Sequence, residues 1–177
     1  MIWQLRIGNW KFTFTFAQVT DVIGVNSVLP DGNHILMWDF DNVPLKKVVK
    51  ALKAIQVKHK LPDIYVFNSG KPDNYMAFCY KRLKWRSALA IVLETKHVDY
   101  NFIKYAVWRE HFTLRVSPKC GRWIRCIGVI KSKHKPTANV KELKSWVEYE
   151  TLTRPSKKYV LEIPPIRTKG SGTSIGR

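Results

Sequence analysis

Residues 34–42 read HILMWDFDN, an apolar run that ends in two aspartates, Asp39 and Asp41, one residue apart. A continuous apolar run of this length predicts a strand buried on both faces, at the centre of a sheet. Aspartates at i and i+2 of a strand project to the same face, with side chains roughly 7 Å apart. Such a pair can flank one or two hard divalent cations, Mg²⁺ or Mn²⁺, if a neighbouring strand supplies a third ligand. The competing reading has Asp41 and Asn42 capping a helix that starts at Pro44, with Asp39 half-exposed at the strand end. Local sequence leaves both open.

Outward from this strand, Leu45, Val48, Val49, Leu52 and Ile55 recur at helical spacing among lysines. DIYVF and YMAFCY predict a strand pair around the turn NSGKPDN, and KWRSALAIVLE predicts a second helix. HVDYNFIKYAVWRE is ambiguous between strand and helix. FTLRV and WIRCIGVI predict two further strands around SPKCGR, and upstream the alternation in WKFTFTFAQV predicts a half-buried strand. The expected fold is α+β: a split βαβ sheet in βαββαββ order, with helices on one face and extra N-terminal strand structure. VKELKSWVEYE reads as a short helix and KYVLEI as a strand, within one domain over 1–165 followed by a flexible tail over 166–177.

The charge narrows the function. The chain has 177 residues, 31 Lys and Arg against 13 acids, a formal charge of +18, and seven each of Trp and Tyr. An excess of this size calls for a polyanionic partner, and nucleic acid is the first expectation. The odd count of cysteines, Cys79, Cys120 and Cys126, and the lack of a signal-peptide pattern fit a reduced intracellular, cytoplasmic setting. No segment approaches the roughly 18 apolar residues of a membrane span, so a soluble chain is expected.

Two further stretches offer chemistry. In FNSGKPDNY, Ser69, the backbone of Gly70, and Lys71 could cradle a phosphate, although the same residues are ordinary turn formers. Arg115, Lys119, Arg122 and Arg125 belong to a run of seven basic residues without an acid from Arg115 to Lys135. That run suits nucleotide or template phosphates, with Trp123 available for stacking. A solvated basic hairpin is the plainer reading. His111, Cys120 and Cys126 have poor spacing for zinc, and buried thiols are the simpler expectation.

Taken in order, MWDFD, SGKPDNY, and HVD with LRVSPKCGR resemble the motifs of the catalytic core of the archaeo-eukaryotic primase superfamily, over Met37 to Arg122. The resemblance implies a fold of the RNA-recognition-motif kind and template-directed nucleotidyl transfer, with nucleoside triphosphates and single-stranded or primed DNA, or RNA, as partners. By it, Asp39, Asp41 and Asp99 hold two metals, Ser69 and its turn meet the triphosphate, and Arg115 with Lys119 grips phosphates. Tyr75 stands where the family turn ends in His, which shifts triphosphate binding toward Lys71. Spacing makes Glu110 a rival for Asp99 as the third carboxylate. The implied setting is DNA replication, alongside a helicase or initiator, in a replicon such as a virus or plasmid. A catalytically weak single-strand binder or replication initiator is the alternative. A metal-dependent nuclease of the NYN/PIN kind, which WDFDNVP also resembles, comes third.

Overall fold

A computed structural model describes residues 2–15 and 19–152. The chain divides into two units, one of which, Val19–Leu152, contains the core. In the other, the described residues form a hairpin of β1 (Ile2–Ile7) and β2 (Trp10–Thr15), paired Trp3 to Phe14, Leu5 to Phe12 and Ile7 to Trp10. The strand predicted at WKFTFTF is present, but it is not half-buried: Phe12 and Phe14 are exposed on the same face as Trp3 and Leu5. The strand read from KYVLEI and the tail over 166–177 lie outside the described residues.

Within Val19–Leu152 the elements are β3 (Val19–Asn26), β4 (His34–Phe40), α1 (Leu45–Lys58), β5 (Ile64–Asn68), β6 (Tyr75–Leu83), α2 (Trp85–Glu94), α3 (Tyr100–Arg109), β7 (Thr113–Arg115), β8 (Arg125–Ile130) and β9 (Trp146–Leu152). A short 3₁₀ turn, Val140–Glu142, precedes β9. The fold is α+β with antiparallel sheets. Four strands run in the order β4-β6-β5-β8, and three in the order β7-β3-β9. The two strands predicted after the helices therefore separate: β7 pairs with β3, while β8 lies outside β5.

The apolar run forms a buried strand, as its composition demands, but not a central one: β4 is at the edge of the β4-β6-β5-β8 sheet, and its burial comes from packing on its faces. Ile35, Leu36, Met37, Trp38 and Phe40 are all fully buried. Trp38 donates its indole N–H to the Thr95 hydroxyl, just past α2, at 2.9 Å, so the one polar atom of the ring is satisfied inside the core. Helix α1 buries Val48, Ala51, Leu52 and Ile55 and turns its lysines outward. Its buried Gln56 donates to the carbonyls of Pro62 and Ile130 at 3.0 and 2.9 Å, tying α1 to the ends of β5 and β8.

Local pattern left HVDYNFIKYAVWRE undecided, and it forms α3. Asp99 is the N-cap, and its carboxylate accepts from the Phe102 N–H at 2.7 Å. VKELKSWVEYE is only partly helical: the 3₁₀ turn ends after one turn, and the remainder is the sheet-edge strand β9. Phe112 ties α3 to the rest, being fully buried with its ring stacked on Phe102 at 5.6 Å and tilted against Trp85 at 4.9 Å. Phe112→Ala is expected to destabilise the protein by about 3–5 kcal/mol in urea denaturation. Amide hydrogen exchange should speed up most in α3.

Candidate functional site

Trp38 faces α2, so Asp39, the next residue of the strand, points to the opposite face of β4. On that face it lies within electrostatic range of Arg115 at the end of β7. Burial, reinforced by the charges of Asp41 and then Asp99, pushes the Asp39 carboxyl up to about 7; Arg115 and the Phe40 N–H oppose the rise. Asp41 is also raised, first by burial and then by Asp99, against the pull of Lys71 and a hydrogen bond from Asn74. The Asp99 N–H donates to the Asp39 carbonyl at 2.8 Å, which fastens the start of α3 to the end of β4. Asp39 and Asp41 thus share one neighbourhood with Asp99, some sixty residues further on.

The two readings of Asp41 now separate. Helix α1 has Pro44 at its N-cap and no side-chain cap, so Asp41 does not cap it. Its carboxylate instead accepts from the Asn74 side chain, whose oxygen in turn accepts from the Asn42 N–H at 3.3 Å. A second tie runs from the Val43 N–H to the Asp73 carbonyl at 2.8 Å. The Ser69–Asn74 turn is in this way laid against the end of β4, with Lys71 within electrostatic range of Asp41.

The turn differs from a phosphate cradle built on backbone amides. The Gly70 N–H is already given to the Asn68 side chain at 2.8 Å, and the Ser69 N–H to the Asn74 carbonyl at 3.0 Å. What the turn offers an anion is the Ser69 hydroxyl and the Lys71 ammonium. Tyr75 is buried in the apolar core at the start of β6, below the turn.

Arg115 donates to the Ser69 carbonyl at 2.8 Å and also to the Ser117 carbonyl, so its guanidinium is fixed between the turn and the basic segment. It is half-buried, and burial lowers its pKa, as it does that of Lys119. Beyond Lys119, a shallow cavity of about 340 Å³ is lined by Asn68, Gly70, Gly121, Arg122, Trp123 and Arg125. Trp123 is largely exposed. At Gly70, where φ is +86°, a Cβ would stand 2.7 Å from the Arg122 Cβ and 3.0 Å from the Trp123 carbonyl.

Some sequence-predicted residues do not join this group. Glu110 caps the far end of α3 in a left-handed conformation, roughly 15 Å of helix away from Asp99. Cys79 is buried, with its thiol pushed up to about 12 by burial, whereas Cys120 and Cys126 are exposed, contrary to the expectation of buried thiols. Two residues were missed. Asn74 orients Asp41, and Tyr149 of β9 is within electrostatic range of Arg115 and Asp39. Nothing in the charged sequence WVEYE marks Tyr149 as different from a surface residue.

Among the described residues no group of three or more His, Cys, Asp or Glu side chains is gathered closely enough to hold a metal ion. Asp99 spends one carboxylate oxygen on its helix, and Asp41 one on Asn74. Asp39 and Asp41 alone make a two-carboxylate oxygen donor set. That set fits a cation such as Mg²⁺, which keeps several waters and is completed by substrate phosphates. No helix among the described residues is long and apolar enough to cross a membrane. No family model matches the chain, and no curated protein and no solved structure matches it either.

Two measurements probe this geometry. A carboxyl near 7 in the folded chain and near 4 in the unfolded one keeps its proton longer when folded, so its penalty is absent below about pH 4 and grows until about pH 7. Thermal melts in chelator should therefore show Asp39→Asn raising stability at pH 8, by at most about 4 kcal/mol, and leaving it unchanged at pH 4. An equal gain at both pH values would contradict the shift. Gly70→Ala should cost about 1–3 kcal/mol from backbone strain plus the displacement of Arg122. Gly121→Ala has the strain (φ +71°) but open space around its Cβ, and should cost less in the same denaturation series.

Proposed function

We propose that this protein is a metal-dependent nucleotidyltransferase of the primase-polymerase kind, acting on a nucleic-acid template. The observation that carries the reading is the convergence of Asp39 and Asp41 with Lys71 and an anchored Arg115 at one end of the β4-β6-β5 sheet. The succession β4-α1-β5-β6-α2, with β6 between β4 and β5, supports the split βαβ arrangement of an RNA-recognition-motif fold. In this chain β7 sits in the second sheet and β8 takes the outer position beside β5.

In this reading Asp39 and Asp41 are the residues that would hold Mg²⁺ or Mn²⁺. Such a cation, when bound, neutralises triphosphate charge and makes an attacking hydroxyl more acidic. Asn74 holds Asp41 in place, and Asp99 fixes the end of β4 through its main chain while capping α3. Lys71, the Ser69 hydroxyl and Arg115 receive the triphosphate. Arg115 acts as a pre-oriented cation, because two carbonyls already fix its guanidinium. Arg122 and Arg125 meet template phosphates, and Trp123 stacks a base beside them.

Two observations favour a second reading, a single-strand binder or replication initiator without full activity. The Asp99 carboxylate is committed to its helix, and the family histidine is replaced by a buried Tyr75. Primer synthesis and extension with labelled nucleotides decide between the two. The transferase reading expects product that requires Mg²⁺ or Mn²⁺ and falls at least a hundredfold in Asp39→Ala and Asp41→Ala, with circular dichroism unchanged. Absence of product, with single-strand binding retained, would establish the binder, and degradation of the template would point to a nuclease.

A further inference from the structure

Helix α3 is turned inside out relative to an ordinary surface helix. Only Ala106 is buried, with Phe102 and Ile103 partly covered on the same side. The opposite side carries Asn101, Lys104, Tyr105 and Trp108, spaced i, i+3, i+4, i+7, with Tyr100 flanking them. Trp108 is 78% exposed, Tyr100 73% and Tyr105 52%, far more than rings of this size usually are when nothing covers them. Arg109 lies over the Tyr105 ring, 5.6 Å from its centre. No acid occurs between Tyr100 and Arg109.

We propose that this face of α3 is a single-strand nucleic-acid platform. Bases stack on Tyr100, Tyr105 and Trp108, and Lys104 and Arg109 meet the intervening phosphates. The choice of occupant follows from the charge. Protein interfaces are depleted in lysine, whereas this stripe has a lysine at its centre, a guanidinium at its end, and belongs to a chain of +18. Aromatic rings interleaved with cations are what a sequence-tolerant single-strand track requires. Ten residues of helix extend the track about 15 Å.

The position of the stripe adds direction. Tyr100 directly follows Asp99, whose N–H is bonded to the Asp39 carbonyl, so one end of the track adjoins the carboxylate pair. That the platform feeds a strand to this site rests on the transferase reading; that it binds a strand does not.

The test is fluorescence anisotropy of the full chain with a labelled oligothymidylate of about 15 nucleotides. Trp108→Ala and Tyr100→Ala should each weaken binding roughly tenfold or more, and Trp108→Phe should retain most of it. Lys104→Gln should lessen the dependence of affinity on salt. Because these side chains are exposed, circular dichroism and melting should match the unaltered chain. If both alanine variants bind as the unaltered chain does, the platform is wrong even where primer synthesis is found. If they weaken binding and no synthesis is found, the platform stands and the transferase reading falls. Self-association abolished by Trp108→Ala, with oligonucleotide binding untouched, would instead mark a protein interface and overturn the proposal.

Discussion

A carboxyl group withdrawn from water beside two other acids holds its proton well above the usual carboxylate range, and Asp39 is in that position. It sits between Trp38 and Phe40, both fully buried, on a strand with little freedom to shift because its flanking apolar side chains are locked in the core. The surrounding elements can be understood as responses to that constraint. Arg115 is placed on its open side and clamped by two carbonyls, Asn74 holds Asp41, and Asp99 turns its own carboxylate toward a helix N-terminus. Each arrangement lowers the cost of crowding negative charge without removing it. A structure optimised only for stability would have neutralised Asp39 with a direct ion pair, and none is made among the described residues. Carboxyls raised in this way are common at functional sites.

Much of the fold was readable wherever local pattern and burial agree. HILMWDF is continuous apolar sequence and forms a buried strand, although at the edge of its sheet; α1 has one clean apolar face and is a helix. The failures have physical causes. Strand β3 contains Asp21 and Gly24, which interrupt its apolar signal, yet it is the centre of the second sheet. Helix α3 buries a single alanine, so its periodicity points outward and imitates noise. Strand β9 is rich in charge because it lies on a sheet edge. Which sheet β7 and β8 enter depends on pairings between distant segments, and no local window contains that information.

The site was legible in its charged residues and not in their supports. Asp39, Asp41, Lys71 and Arg115 stood out because acids at strand ends and basic runs are chemically conspicuous, whereas Asp99 entered only through the family resemblance. Asn74 was hidden among turn formers and Tyr149 among surface residues, because what distinguishes them is the side chain they face. The turn amides illustrate the reverse error. Glycine near serine and lysine resembles a phosphate loop, yet the backbone N–H groups of Ser69 and Gly70 are consumed in holding the turn's own shape.

At Gly70 the β5–β6 turn and the Arg122–Trp123 backbone approach so closely that a single methyl group would not fit between them. Two stretches more than fifty residues apart are therefore coupled like meshed gears. Arg115 joins the same frame by donating to the Ser69 carbonyl, next to Gly70. Anions arriving at either side would meet one connected frame rather than two independent loops.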